Sequence, residues 1–344
     1  MESHELDVIV TRGNAVESLH RVHAAVVDAC DRLSGSAGNP DLNTWWRSCA
    51  KPFQIIPLIE TGGFDALGWG DEELALACAS HGGEPEHVAI VDRMLAALEL
   101  EEGDLACGPL EPLSPRAAKV ARDSGSRIKR THNNCSGKHV AMLALARHMG
   151  WPINGYERPD HPVQQAMLNQ VALWSDSRPS QIGVAIDGCG VVVFGLSLER
   201  MARAYARLGA AAARGEEIPS RITRAMSGNA FLIGGTERFD STMVEETSGG
   251  VIAKVGAEGV HCAVVLDGGT GIALKVEDGN PRAQHPALVR LLADLGALPD
   301  PVPARLADYL SKPVRNSRGE IVGETRIREV ARRNSHGRRQ VAAI

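Results

Sequence analysis

The stretch "GVIAKVGAEGVHCAVVLDGGTGIALKVEDG", Gly250–Gly279, decides the fold. Short runs rich in valine, isoleucine and alanine are separated by Gly-rich turns, so it reads as at least three strands. Strands joined by such tight turns pair antiparallel. The chain before it has a different rhythm. Apolar residues recur at helical spacing in "NAVESLHRVHAAVVDACDRL" (Asn14–Leu33), "DEELALACAS" (Asp71–Ser80) and "PEHVAIVDRMLAALELEEG" (Pro85–Gly103). They do so again in "CSGKHVAMLALARHMG" (Cys135–Gly150), "HPVQQAMLNQVALWSD" (His161–Asp176) and "LERMARAYARLGAAAARG" (Leu198–Gly215). Capping chemistry supports the boundaries: Asp71 opens one helix, Pro85 starts the next and Gly150 stops a third. A further strand region is "IGVAIDGCGVVVFGLS" (Ile182–Ser197). Helices between Val16 and about Arg207, with the main strand run after Gly249, predict an α/β protein of the α+β kind. Its antiparallel sheet is flanked by helices and carries an inserted helical part. No βαβ repeat, glycine-rich phosphate loop or internal repeat stands out.

With 344 residues, 44% hydrophobic and 23% charged, the chain has enough apolar surface to fold by burial as a single large domain over residues 1–344. A net charge of −5 gives no general attraction to nucleic acid, and no such partner is expected. The basic cluster "RRNSHGRR" (Arg332–Arg339) has Gly and Ser interleaved and reads as part of a flexible tail over residues 331–344. The opening "MESHELDVIVTRGNAVES" is acidic and lacks a basic segment followed by an apolar one. No apolar run is long enough to span a bilayer, so a cytoplasmic protein with no membrane partner is expected. The seven cysteines are scattered and odd in number, which predicts thiols, most of them buried as small apolar residues.

Three elements that could carry chemistry occur in chain order. Ser48 and Lys51, in "TWWRSCAKPFQ", lie three apart at the head of an apolar run. Ser80 lies where a helix gives way to the loop "HGGEPEH". Lys254-Val-Gly256 lies on a strand. Each has an ordinary reading: Ser48 as a helix cap with Lys51 on a solvated face, Ser80 as a polar helix end, Lys254 as one exposed strand position. Together they resemble the three-part site of the penicillin-interacting serine hydrolases, although Ser80-His81-Gly82 replaces S-D-N and K-V-G replaces K-T-G. A serine hydroxyl is a poor nucleophile until a base takes its proton. Residues at i and i+3 on a helix share a face, so Lys51 can reach Ser48. A lysine base must be neutral, and burial beside a second cation lowers an amine pKa from its usual value of about 10.4. Lys254 is the candidate second cation, with Lys275 in "IALKVEDG" as its competitor.

A second constellation joins "RTHNNCSGKHVAML" to "AIDGCGVVVFG". Cys135 and Lys138 stand one helical turn apart, and Cys189 lies in a Gly-flanked turn that can present a thiolate. Zinc favours thiolates and imidazoles, whereas lysine binds a metal only when neutral. Buried thiols are the alternative, and His132 and His139 keep a Cys/His site open.

Beyond these separate motifs, the chain resembles the rhizobial-type, thermolabile L-asparaginases, or asparaginase II. The matching stretches are "RSCAKPFQ", "ASHGGEPEHV", "RTHNNCSGKHVAML", "IDGCGVVVFGLSLERMA", "KVGAEGV" and "KPVRNSRGEIVG", spanning roughly Arg47 to Gly323; "HNNCSGKH" is the most specific. The resemblance implies a serine-β-lactamase-like fold, a homodimer and hydrolysis of L-asparagine to L-aspartate and ammonia. It implies two Ser–Lys tandems, Ser48 with Lys51 and Ser80 with Lys254. It places a zinc site on Cys135, Lys138 and Cys189, with Asp187 and His139 supporting it, and gives the zinc a role in substrate binding. Arg47 is a candidate for substrate-carboxylate binding or charge tuning.

Overall fold

The computed structural model describes residues 2–125 and 127–329; the expected tail at 331–344 lies outside the described residues. Its centre is a six-stranded sheet in the order Glu2–Ser3, Leu33–Ala37, Val22–Val27, Thr270–Val276, Val260–Val265, Val251–Val255. All pairings are antiparallel except that of Glu2–Ser3 with Leu33–Ala37. The Gly250–Gly279 stretch supplies three consecutive strands, as its turns predict.

Strand alternation sorts the sheet into two faces. Ala25, Ala273, Cys262 and Ile252 pack into one core, beneath the Leu198–Ala213 helix. Ala24, Leu274, Ala263 and Ala253 pack into the other, beneath the Pro281–Asp294 and Ala304–Leu310 helices. Helices therefore cover both faces. The inserted helical part adds the helices Asp71–Cys78, Pro85–Ala97, Ser136–His148 and Pro162–Trp174 to the first core. Two smaller sheets complete the described residues. One orders Ser311–Arg315, Ile321–Ile327, Val8–Arg12 and Ala15–His20; the other orders Asn43–Trp45, Val192–Ser197 and Gly183–Ile186. No helix among the described residues is long and apolar enough to cross a membrane.

One element differs from its sequence reading. Asn14–Leu33, expected as a helix, contributes the strands Ala15–His20 and Val22–Val27 and the first residue of a third. The central strand is covered on both faces, so it needs no polar side, and "VHAAVV" loses the alternation that would mark it. Its apolar residues fit a helical period by composition alone.

Register fixes what faces the helical part. Cys262 pairs with Lys254 on one side and Ala273 on the other, so the Lys254 side chain belongs to the first core. The helix above approaches closely enough that a Cβ on Gly271 would lie 2.1 Å from the Ala202 carbonyl oxygen and 2.2 Å from the Ala206 nitrogen. Backbone cannot yield as a flexible side chain can. Gly271→Ala is therefore expected to cost about 2–3 kcal/mol or more of folding stability, read as a lowered denaturant midpoint.

Candidate active site

The chain enters the site at Trp46, fully buried and stacked on Phe53 with ring centroids 5.0 Å apart. Arg47–Ala50 form a 3₁₀ turn that runs into the short helix Lys51–Gln54. Arg47 adopts φ +51°, a left-handed conformation unfavourable for a non-glycine residue by about 1–2 kcal/mol. Its guanidinium holds the Asp187 carboxylate at 2.8 Å, so the turn bearing Ser48 is tied to the turn bearing Cys189. The carboxylate that Arg47 engages is thus the protein's own.

Lys51 is fully buried, which rules out the solvated-face reading. Its Nζ donates to the Ser80 hydroxyl at 3.1 Å, to the Asn134 carbonyl at 3.2 Å and to the Ala79 carbonyl. Three acceptors match the three N–H groups of an ammonium. Ala79 and Ser80 follow directly on the Asp71–Cys78 helix, where unpaired carbonyls are available.

Lys254 is also fully buried, not an exposed strand position. Its Nζ lies 2.8 Å from the Ser80 hydroxyl and 3.0 Å from the Val255 carbonyl. Ser80 therefore bridges the two lysines. Lys275 points elsewhere, to the carbonyls of Glu258 and Val276. Burial, opposed by the Asp240 carboxylate and reinforced by Lys51, pushes the Lys254 amine down to about 8. Asp240 lies 3.9 Å from Lys254 Nζ, accepts from the Val255 amide at 2.9 Å and meets His261 Nε2 at 3.0 Å. Burial pushes its carboxyl up, but His261, Lys254 and the Val255 amide outweigh that and hold it at about 2.

Ser48 and Ser80 both line a cavity of about 570 Å³ with Asn134, Asp240 and Gly256. Ser48 is half-buried and Ser80 only 2% exposed. Among the described residues the Ser48 hydroxyl has no hydrogen-bond partner; the expected direct bond from Lys51 is replaced by the bond from Lys51 to Ser80.

The motif "HNNCSGKH" now has a physical account. The Asn133 side chain accepts from the Cys135 amide at 3.0 Å and turns the chain into the Ser136–His148 helix. Asn134 presents its carbonyl to Lys51. Ser136 donates to the Thr131 carbonyl and contacts His81 Nε2 at 2.9 Å. A Cβ on Gly137 would lie 2.5 Å from the Leu76 carbonyl oxygen, so glycine lets this helix pack against the one that delivers Ser80.

Lys138 Nζ lies 3.3 Å from Cys189 Sγ, and the Cys135 thiol hydrogen-bonds Cys189. That thiol bond, opposed by burial and aided by the Lys138 charge, draws Cys189 down to about 5. The same bond, with burial, pushes Cys135 up to about 12. Burial disfavours the Lys138 ammonium, but Cys189, Cys135 and Asp187 outweigh it and raise the amine. Burial likewise pushes Asp187 up, while Lys138 and Arg47 hold it below the usual carboxylate range. Burial beside Lys138 takes His139 down to about 3. Its Nδ1 meets the Tyr156 hydroxyl at 2.7 Å, and its buried Nε2 has no partner. The two sulfurs and the amine converge as a soft three-donor set. Among the described residues no group of three or more His, Cys, Asp or Glu could hold a metal.

Sequence reasoning missed Asp240, Tyr156 and Cys49, whose Sγ donates to the Lys254 carbonyl at 2.9 Å. Asp240 lies in the first turn of the Phe239–Glu246 helix, where an acidic residue is ordinary. Nothing in the linear pattern marks it as buried.

Two lysines thus converge on one buried serine, beside a second serine in the cavity wall. The chain belongs to the L-asparaginase II family, whose pattern it matches over residues 8–327. A search of curated proteins finds no significant match.

Proposed function

We propose that this protein is an amidohydrolase that converts L-asparagine to L-aspartate and ammonia through an acyl-enzyme on Ser48. One observation carries the reading: within a family of asparaginases, Ser80 bridges Lys51 and Lys254 in the wall of the cavity that Ser48 also lines. The layered arrangement of helices on both faces of an antiparallel sheet supports a serine-β-lactamase-like fold. Continuous cores linking sheet and helical part support one domain, and the family supports a cytoplasmic homodimer.

The mechanism follows from the proton chain. With Lys254 neutral, it takes the Ser80 proton, and Ser80 takes one from Lys51. The lone pair freed on Lys51 then accepts the Ser48 proton as Ser48 Oγ attacks the carboxamide carbon. Backbone N–H groups at the start of the 3₁₀ turn, that of Ser48 among them, hold the oxyanion. The proton returns along the chain to the leaving nitrogen, ammonia departs and a β-aspartyl ester remains. Water, deprotonated by the same chain, hydrolyses it.

Cys135, Lys138 and Cys189 would hold a zinc ion through two sulfurs and one amine. Bound there, zinc supplies a positive charge that positions substrate. Lys138 must be neutral to ligate, so binding must release its proton. Asp187 and His139 flank the set, close enough to Lys138 to feel its charge.

Ammonia release from L-asparagine, compared with L-glutamine, nitrocefin and p-nitrophenyl esters, tests the activity; a rate confined to the esters or nitrocefin would refute it. Ser48→Ala is expected to abolish turnover and any trapped acyl-enzyme observed by mass spectrometry, at least 10³-fold in kcat. An active Ser48→Ala with a dead Ser80→Ala would reverse the nucleophile assignment. Because the neutral form of Lys254 is the competent one, kcat/KM is expected to rise with pH through about 8 and level above it. Chelation is expected to remove one zinc per chain and to raise KM more than it lowers kcat, measured on the same preparations.

A further inference from the structure

The loop Gly234–Arg238 is built with more care than a connection needs. Glu84, only 3% exposed, accepts from the Thr236 amide and binds the Thr236 hydroxyl, each at 2.7 Å. That clamp supports Glu237 at φ +57°, a left-handed conformation costly for a non-glycine residue. The Arg238 stem packs against the two preceding glycines: a Cβ on Gly234 would sit 3.0 Å from Arg238 Cβ, and one on Gly235 3.6 Å from Arg238 Cγ. The loop thus aims Arg238 into the cavity that Ser48 and Ser80 line. Arg238 is half-buried, yet its guanidinium has no ion pair or hydrogen bond among the described residues. The two buried carboxylates nearby are otherwise engaged: Glu84 holds Thr236, and Asp240 holds His261 and the Val255 amide. Arg47, by contrast, is committed to Asp187. Lys312, the other cation on the cavity wall, is exposed and sits over the Tyr309 ring at 4.4 Å.

A half-buried guanidinium held without a partner is a receptor for a planar anion, because its fork of N–H donors matches a carboxylate. We propose that Arg238 binds the α-carboxylate of the amino-acid amide whose side-chain amide reaches Ser48, and so determines that the substrate is an amino acid. This rests on the amidohydrolase reading above. Glu237 and Glu258 on the same cavity wall are available to the α-ammonium group.

The test compares L-asparagine with 3-aminopropanamide, the same molecule without its α-carboxylate, in wild type, Arg238→Met, Arg238→Lys and Lys312→Met. The ratio of kcat/KM for asparagine to that for 3-aminopropanamide is expected to fall at least tenfold in Arg238→Met and to recover in part in Arg238→Lys. Equal loss on both amides would make Arg238 merely structural and overturn the proposal. So would a ratio that changes in Lys312→Met instead. A wild type that releases ammonia from neither amide would defeat the activity reading. The carboxylate site then stands on the rise in melting temperature with L-aspartate: a rise in wild type that is lost in Arg238→Met supports it, and an equal rise in both overturns it.

Discussion

Everything in the site depends on two lysines sharing one hydroxyl. Ser80 Oγ lies 3.1 Å from Lys51 Nζ and 2.8 Å from Lys254 Nζ, and both amines are sealed from water. Two unit charges no more than about 6 Å apart repel by at least roughly 3 kcal/mol at an effective dielectric of 20. The fold answers in two ways. It surrounds Lys51 with backbone carbonyls, and it relieves the repulsion by lowering Lys254, whose only close carboxylate among the described residues is Asp240 at 3.9 Å. Each answer draws on a different part of the chain. Lys254 comes from a strand, Ala79 and Ser80 from a helix end, Asn134 from the turn before another helix, and Asp240 from a helix against the edge strand Val251–Val255. The site exists only when sheet and helical part are assembled.

That dependence explains what was legible in the sequence. Turn chemistry exposed the Gly250–Gly279 strands, and caps exposed the helices at Asp71, Pro85 and Ser136. The order Ser48–Lys51, Ser80, Lys254 was visible because each residue sits in a short motif on a recognisable element. What stayed hidden was relational. Val22–Val27 is a strand because both its faces are covered, a property of the assembled sheet. Spacing puts Lys51 within reach of Ser48, yet Lys51 turns to Ser80, because three acceptors converge there. Asp240 and Arg238 become notable only by burial or by the lack of a partner.

The turn bearing Ser48 and the turn bearing Cys189 are tied into one unit. Arg47 spans them through its 2.8 Å bond to Asp187, and Asp187 closes its own turn by bonding the Gly188 amide at 2.7 Å and accepting from the Gly190 amide at 2.9 Å. The left-handed backbone at Arg47 persists because both ends of this link are fixed.

The two serines divide the work by their hydrogen-bond capacity. A hydroxyl has one donor and two acceptor positions. When both amines are protonated, each donates to Ser80 and fills its two lone pairs, so Ser80 has none left for a carbonyl carbon. Loss of one proton from Lys254 frees a lone pair, but the oxygen remains nearly sealed. Ser48 is in the opposite condition: half-buried, in the cavity wall and free of hydrogen bonds among the described residues. In the proposed mechanism its oxygen meets the substrate, and the Lys51–Ser80–Lys254 chain carries its proton away. A proton-relay hydroxyl needs two fixed partners, whereas a nucleophile needs a free lone pair and an approaching carbonyl. The observed bonding differs between the two serines in the way that the proposed relay at Ser80 and attack by Ser48 require.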